Sequence, residues 1–288
     1  MHFTRLLRAM SLSMAQDCSG SDSQPGATSF PVSSGDAASA PSSSVAVVAV
    51  PSTSSSAAVH QDPVAKWTGN AEYVVRWDPA SGGPQAALEV ARALGFESGK
   101  HEEFEIDYYG LATPSPPPTG AAPLLRLRTK LKDAKPSKYE LTYKLRSPAL
   151  FDGATCPLGT TIPMGAEMDV TFLGVGIPMK RVYSASCELE DKASAPAPPA
   201  ALGATPGSCP ARMARDELGT SGTKTKVELW TFADGSRLLE VSWKADHSAA
   251  NEKTFEATVA KPIVSLGAVP IAASKTEAAS TCGRGAAK

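Results

Sequence analysis

The chain has 288 residues, and its 28 Lys and Arg against 29 Asp and Glu give a net charge of −1. This balance argues against a nucleic-acid-binding protein, which normally contains a strongly basic domain. No apolar run approaches the roughly 18 residues of a membrane-spanning helix.

Residues 1–63 are rich in Ser, Ala, Pro and Gly and contain few aromatic residues. Such a segment buries too little apolar surface to offset the entropy cost of ordering, so we predict a disordered tail or tether. Cys18 is followed by a polar stretch and resembles the acylated cysteine of a bacterial lipoprotein, although Gln16 and Asp17 stand where small residues are expected. A lipid tether through Cys18 and a misassigned start both stay open. The tail favours the bacterial cell envelope or secretion over the cytoplasm.

The first predicted strand spans residues 71–77, where Glu72, Val74 and Arg76 alternate with apolar and aromatic positions. Residues 84–94 follow with apolar positions at helical spacing, which predicts a short amphipathic helix. Alternation returns at residues 103–109. The insert at 110–123 is too rich in proline for regular structure.

Residues 124–147 carry the strongest functional signal. They contain eight Lys or Arg against two Asp or Glu, in two alternating runs joined by a polar turn. The pattern predicts a β-hairpin with an apolar face and a cationic face. Any solvated sheet face is polar, but such a face usually mixes signs because like charges across strands are destabilising. A face of one sign indicates an anionic ligand.

Further strands are predicted at 168–173, 180–190, 225–232, 237–245 and 255–259. We expect a second low-complexity insert at 193–222 and a disordered tail at 271–288. Strands greatly outnumber helices, which predicts a mainly β (α+β) domain over residues 66–262. The expected architecture is a closed or nearly closed antiparallel barrel of about eight strands, with a charged tunnel and a short helix after the first strand.

The order of these elements over residues 70–260 resembles the CYTH, or triphosphate tunnel metalloenzyme, superfamily. The resemblance is carried by the opening strand and its helix, by Ile106–Tyr109, by the LRLR of Leu125–Arg128 and the LTYK of Leu141–Lys144, and by Lys180-Arg181, Glu240 and Glu256. It implies a closed barrel that binds a triphosphate-bearing substrate and a divalent metal, Mg²⁺ or Mn²⁺.

The opening motif departs from that family. Its Glu-x-Glu-x-Lys corresponds here to Glu72-x-Val74-x-Arg76, or to Asn70-x-Glu72-x-Val74 in the other register, and either lacks one ligand. A literal Glu188-x-Glu190-x-Lys192 occurs later in the chain. It is either a coincidence of strand alternation, which we favour, or an acidic metal face supplied by another strand.

The resemblance and the residue types together give the candidate site. Arg and Lys suit phosphate, and carboxylates suit Mg²⁺ or Mn²⁺. The candidates are Glu72 and Arg76 for catalysis, Arg126, Arg128, Lys130, Lys144, Arg146 and Arg181 for substrate, and Glu188, Glu190, Glu240 and Glu256 for the metal. The alternative for the acids is that they pair with the basic strands, because buried charges are normally paired.

Other sites find little support. The sequence contains neither a Gly-rich phosphate loop nor a dinucleotide fingerprint, and its four His are scattered. The five cysteines lack metal-ligand spacing, and four of them, Cys156, Cys187, Cys209 and Cys282, allow three disulfide pairings. Reduced, buried cysteines remain the alternative.

Two functions are therefore expected. The first is a metal-dependent phosphohydrolase acting on a phosphorylated small molecule or on polyphosphate. The second is a catalytically impaired relative that binds a polyanion or a partner in the cell envelope. An envelope β-domain with a solvated basic face is the third, simplest interpretation.

Overall fold

The computed structural model describes residues 67, 69–112, 121–150, 154–159, 161–207, 209–220 and 223–281. The predicted tail at 1–63, its Cys18, and most of the proline-rich insert at 110–123 lie outside these residues.

Ten strands form one sheet. They are β1 (Asn70–Trp77), β2 (Glu97–Leu111), β3 (Ala122–Lys132), β4 (Lys135–Ser147), β5 (Gly165–Thr171), β6 (Lys180–Asp191), β7 (Ala204–Pro206), β8 (Ala211–Thr220), β9 (Thr223–Phe232) and β10 (Arg237–Asp246).

Nine of these strands close into a barrel. Their order is β3-β4-β6-β5-β1-β10-β9-β8-β2, and β2 pairs with β3 to complete the ring. The short β7 pairs with the end of β2 outside the ring. The predicted closed barrel is confirmed, although β5 runs parallel to β1, so the barrel is mixed rather than purely antiparallel.

The main hydrophobic core lies outside the barrel wall. The helices that cover it are α1 (Ala87–Leu94), α2 (Ala249–Phe255), a π-helical turn (Glu256–Ala260) and α3 (Lys261–Ser265). Tyr73 and Trp77 point outward from β1 into this core, where Phe255 and Ile263 of the helical segment are fully buried. The rings of Tyr73 and Phe255 are 5.8 Å apart. Apolar packing on the outside leaves the inward strand faces available for charged side chains.

A second core covers β3 and β4. It contains the outward Leu125, Leu141 and Leu145 and a disulfide between Cys156 and Cys187, which are 31 residues apart. The disulfide ties the connection between β4 and β5 to β6. Cys209 is also disulfide-bonded. The disulfide alternative of the sequence analysis therefore holds for these three cysteines.

The strand predicted at residues 255–259 is wrong, because this stretch is helical. Its alternation is too short to distinguish the two-residue period of a strand from the 3.6-residue period of a helix. Phe255, Val259 and Ile263 are buried at a spacing of four residues, as on one helix face. The Oγ of Ser248 caps the segment by accepting a hydrogen bond from the Asn251 N–H at 3.1 Å.

Parts of two segments expected to lack structure form regular elements. The predicted insert at 193–222 contains β7 and β8. The predicted tail at 271–288 forms helix α4 (Lys275–Thr281). The Ser274 N–H donates to the Glu277 carboxylate at 2.6 Å and the Glu277 N–H donates to Ser274 Oγ at 3.2 Å, which is a capping box. None of the described helices is long and apolar enough to cross a membrane.

The packing of the helical segment predicts the effect of Phe255→Ala. Removing this fully buried ring should lower the free energy of unfolding by about 3–5 kcal/mol, as measured by urea denaturation. Leu266→Ala, at a position 50% exposed, is the control and should change it by no more than about 0.5 kcal/mol. Equal effects of the two substitutions would contradict the packing of this segment on β1.

Candidate anion-binding site

The interior of the barrel contains a charged cavity of about 250 Å³. Its wall carries nine Lys or Arg side chains and five Glu side chains. The cations are Arg76, Arg126, Arg128, Lys144, Arg146, Arg215, Lys226, Lys244 and Lys275. Asp169 and Glu240 contact four of these cations from beside the cavity, which leaves an excess of two positive charges. Such an excess in so small a space favours an anionic ligand.

The cationic wall arises from the alternation of β3 and β4. Arg126 and Arg128 of β3 and Lys144 and Arg146 of β4 point into the cavity, while the intervening leucines point outward. The register places Arg128 opposite Glu140. Neighbouring antiparallel strands with matching phase therefore bring all four cations to one part of the interior.

Two carboxylates, Glu140 and Asp169, form the ion pairs of these four cations. Glu140 accepts a hydrogen bond from Arg128 at 2.9 Å and lies 3.7 Å from the Arg126 guanidinium. Asp169 accepts one from Arg146 at 2.8 Å and lies 3.5 Å from Lys144 Nζ. The Nε atoms of Arg126, Arg128 and Arg146 are buried and have no hydrogen-bond partner among the described residues. The wall thus holds more donors than the protein itself satisfies.

The charge imbalance also affects proton affinity. Burial, followed by repulsion from Arg126, lowers the pKa of Arg128 to about 10. Burial likewise lowers the pKa of Lys144, because the attraction of Asp169 does not offset it and Arg146 adds repulsion. An anion in the cavity would relieve both effects, since a nearby negative charge favours the charged form of a base.

The opposite wall is internally neutralised. Arg76 and Glu240 face each other on β1 and β10 and form a buried ion pair. Lys275 of α4 lies 2.7 Å from Glu240 and 2.8 Å from Glu228. Burial alone would raise the pKa of Glu228, but Lys275 and Arg215 outweigh it and hold that pKa well below its usual value. Glu240 and Glu228 therefore both pair with cations. For Glu240, this is the alternative to metal binding that the sequence left open.

The predicted site residues divide into two groups. Glu72, Arg76, Arg126, Arg128, Lys144, Arg146 and Glu188 line the cavity, and Glu240 contacts Arg76 beside it. Lys130, Arg181, Glu190 and Glu256 do not line it.

The second group has other partners. Lys130 pairs with Glu102 at 2.6 Å. Glu190 pairs with Lys138, and the Glu190 side chain is 54% exposed. Lys130 lies on β3 beyond Arg128, towards the turn between β3 and β4. Glu190 lies on β6 opposite the cavity-lining Glu140, but its side chain is largely exposed to solvent.

Arg181 and Glu256 lie outside the barrel. Arg181 donates three hydrogen bonds to Glu252 of α2, because the odd-numbered residues of this part of β6 point outward. Glu256 begins the π-helical turn and pairs with Lys261 at 3.2 Å. The prediction for Glu256 assumed a strand, and helical structure removes it from the barrel wall.

Sequence reasoning missed seven charged residues that line the interior: Glu140, Glu167, Arg215, Lys226, Glu228, Lys244 and Lys275. Arg215 fell in the supposed insert and Lys275 in the supposed tail. The alternation of Lys226 and Glu228 within a predicted strand was a usable signal. So was the Ser-x-x-Glu pattern that begins α4.

One carboxylate cluster, which we call the inner cluster, lies along the cavity. Glu72, Glu167 and Asp169 each offer an oxygen within 4.8 Å of the others. Burial and the nearby Glu72 raise the pKa of Glu167. Asp169 is buried, and its Oδ1 has no hydrogen-bond partner among the described residues. A set of oxygen ligands with one unsatisfied atom fits a divalent cation.

A second cluster comprises Glu140, Glu188 and Glu190. Two members of each cluster pair with cations, Glu140 and Glu190 here and Glu167 and Asp169 in the inner cluster, but this second cluster is more exposed. The inner cluster therefore offers the better donor set.

Comparisons with known proteins gave only distant structural similarity. No protein-family profile matches the sequence. No curated protein sequence is similar to it. The PH1819 protein from Pyrococcus horikoshii OT3 is 15% identical with a TM-score of 0.40, over 72% of this chain and 97% of that one. A conserved hypothetical protein from Pyrococcus furiosus is 14% identical with a TM-score of 0.38, over 72% and 98%. A Bacillus halodurans protein provisionally described as an adenylate cyclase is 11% identical with a TM-score of 0.41, over 73% and 98%.

Glu102 of β2 forms ion pairs with Lys100 and Lys130, each at 2.6 Å. These ion pairs predict a pH dependence of stability. Burial would raise the pKa of Glu102, but hydrogen bonds from Lys100 and Lys130 outweigh it and lower that pKa from 4.5 to about 2. Because the folded pKa is the lower one, this carboxylate contributes stability that is fully present above pH 4.5 and is lost as pH falls towards 2.

Urea denaturation over this pH range should therefore show a smaller loss of stability for Glu102→Gln than for the unmodified protein. Glu103→Gln, at a side chain 59% exposed, is the matched control and should keep the original pH dependence. An unchanged pH slope in Glu102→Gln would contradict the assignment.

Proposed function

We propose that the barrel interior binds a triphosphate or another short polyphosphate group. The observation that carries this proposal is the wall of Arg126, Arg128, Lys144 and Arg146. Its arginine side chains are partly buried, and their buried Nε atoms have no hydrogen-bond partner among the described residues. Uncompensated buried charge is costly, so an anionic ligand supplies what the wall lacks.

Phosphate suits this wall better than other anions. A polyphosphate carries several charges along its length, and guanidinium groups offer two parallel donors to phosphate oxygens while lysine offers a point charge. The cavity of about 250 Å³ is smaller than the roughly 300–1,000 Å³ typical of drug-sized ligands. A compact, highly charged group therefore fits it best.

The sequence resemblance supports the same ligand. Arg126, Arg128 and Lys144 belong to the LRLR and LTYK strands through which the chain resembles the CYTH superfamily. All three side chains line one cavity, as a shared phosphate ligand requires.

A divalent metal belongs to the proposal for an active enzyme. Glu72, Glu167 and Asp169 would hold Mg²⁺ or Mn²⁺, because their oxygens lie together beside the cationic wall. A bound ion would supply charge neutralisation and orient phosphate oxygens for hydrolysis. Lys144 and Arg146 lie next to this cluster, since both contact Asp169, and they would hold the phosphate there.

The second candidate is binding without turnover, as in a catalytically impaired relative. Val74 is fully buried on β1 between Glu72 and Arg76, so this strand offers one carboxylate rather than two. Glu240, a predicted metal ligand, is instead engaged by Arg76 and Lys275. Release of phosphate from tripolyphosphate with Mg²⁺ or Mn²⁺ separates the two: metal-dependent release supports the enzyme, and binding without release supports the second candidate.

The first test is tripolyphosphate binding by Arg128→Ala, measured by isothermal titration calorimetry. Charge-assisted hydrogen bonds contribute roughly 1.5–3 kcal/mol, so the affinity should fall about tenfold to a hundredfold. Arg128→Lys should give an intermediate loss, because it keeps the charge but not the planar pair of donors. Thermal unfolding of each variant separates a binding defect from misfolding.

Arg181→Ala is the matched control. Arg181 contacts Glu252 outside the barrel, so its removal should leave the tripolyphosphate affinity unchanged. Equal losses in Arg128→Ala and Arg181→Ala, or no binding by the unmodified protein, would refute the proposed site.

The metal proposal is tested by Mn²⁺ binding, followed through the electron paramagnetic resonance signal of free Mn²⁺. Glu167→Gln should weaken binding about tenfold or more, since a cation held by three carboxylates loses one charged ligand. Glu256→Gln alters an acid outside the barrel and should have no effect. Identical Mn²⁺ binding by both variants would exclude the inner cluster as the metal site.

A further inference from the structure

Large apolar side chains are exposed at one end of the barrel. Of the six that are exposed among the described residues, four stand on connections at this end: Leu150, Val175, Ile177 and Val269. They are 38–60% exposed. We call these four residues the apolar rim.

The strand order brings the members of the apolar rim to the same edge. Val175 and Ile177 lie in the turn between β5 and β6. Leu150 follows β4, which ends beside the start of β6. Val269 comes directly before the residue that pairs with the end of β1, and β1 is the other neighbour of β5. The apolar rim therefore follows neighbouring strands around one barrel end.

The turn between β5 and β6 does not need its apolar side chains for its shape. Exposed turns are usually polar, and glycine supplies their unusual backbone angles. Gly174 and Gly176, with φ of 143° and 77°, fill that role here. Val175 and Ile177 stand next to them and are 60% and 52% exposed. The turn between β3 and β4, at the opposite end of the barrel, instead reads Lys-Asp-Ala-Lys.

The apolar rim borders a cavity of about 340 Å³. Pro148, Lys180 and Ala272 line this cavity, and each lies within three residues of a member of the rim. Most of the other lining side chains are polar or charged. Exposed apolar side chains thus stand beside a polar opening.

Lys180 is the cation at this opening. It is exposed and forms no ion pair among the described residues. The two carboxylates that line the cavity are already engaged, since Asp169 pairs with Arg146 at 2.8 Å and Glu277 accepts the Ser274 N–H at 2.6 Å. Lys180 therefore remains available to an anionic group outside the protein.

We propose that this end of the barrel docks on the surface of an anionic phospholipid bilayer. The apolar rim enters the boundary between headgroups and acyl chains, and Lys180 meets lipid phosphate. A bilayer fits better than a protein partner, because the four side chains stand on three separate connections around an opening and do not form a groove. A deformable apolar medium accepts such separate tips. This inference does not depend on phosphate binding in the barrel interior.

The test is sedimentation of the full chain with sucrose-loaded vesicles of equal parts phosphatidylcholine and phosphatidylglycerol, compared with vesicles of pure phosphatidylcholine. The mixed vesicles should be bound about fivefold more tightly, because a lysine near an anionic surface contributes about that much to affinity. Added salt should reduce this difference.

Ile177→Asp tests the insertion of the apolar rim. It should reduce binding to the mixed vesicles about tenfold or more, since it removes the burial of an isoleucine side chain and adds a charge to the rim. Ala134→Asp is the matched control. It adds the same charge to an exposed turn at the opposite end, where aspartate accepts the φ of 58°, and it should leave vesicle binding unchanged.

Lys180→Gln tests the electrostatic contact. It should reduce binding to the mixed vesicles about fivefold and leave binding to pure phosphatidylcholine unchanged. Lys132→Gln removes an exposed lysine at the opposite end of the barrel and should alter neither.

Three results would overturn the inference. The first is no binding to either kind of vesicle. The second is an equal loss in Ile177→Asp and Ala134→Asp, which would show that added charge, and not a lost apolar contact, weakens binding. The third is self-association without vesicles, measured by sedimentation velocity, that Ile177→Asp abolishes while vesicles are not bound; a second copy of the chain would then cover the rim. Tripolyphosphate binding is measured separately, so failure of either proposal leaves the other standing.

Discussion

The fold and its candidate site both depend on the enclosure of many charged side chains within a closed ring of strands. Burying an unpaired charge is expensive, and the cost is met only where hydrogen bonds and opposite charges replace water. The fold meets this constraint by moving its hydrophobic core to the outer face of the barrel, under α1 and the helical segment with Phe255 and Ile263. Apolar packing outside the barrel thus supports strands whose inner faces carry closely spaced charges of both signs.

The interior meets this cost unevenly. On one side, Arg76, Lys275 and Arg215 are interleaved with Glu240 and Glu228, so cations and carboxylates satisfy one another. On the other side, four cations share Glu140 and Asp169. A network of paired charges needs no ligand for neutralisation, so we interpret this side of the interior as structural. The partly satisfied wall is the surface on which a ligand would gain most, since unpaired buried donors are the groups with most free energy to recover.

Sequence reasoning succeeded where the signal was local. The alternation of residues 124–147 fixes which side chains of β3 and β4 share a face. The structure places Arg126, Arg128, Lys144 and Arg146 of that face inside the barrel. It failed where burial depended on distant partners. Arg181 is basic and lies on a predicted strand, but its phase on β6 turns it towards Glu252, and only knowledge of the α2 helix would have shown this. Lys275 belongs to a segment of low complexity whose order depends on a capping box and on packing of Ala279 near the aromatic side chains of β9.

Asp169 connects the chemical requirements of the site. Its Oδ2 holds Lys144 and Arg146, two cations proposed to bind phosphate, while the same carboxylate approaches Glu72 and Glu167 in the cluster proposed to bind metal. Burial would raise the pKa of Asp169, but Lys144 and Arg146 outweigh it and keep that pKa below its usual value. The group is therefore a carboxylate whenever its cationic neighbours are charged. A cation drawn to Asp169 would weaken its hold on Lys144 and Arg146 and leave both freer to contact phosphate. Metal and polyanion would then favour each other's binding through one shared side chain, without any movement of the strands that carry it.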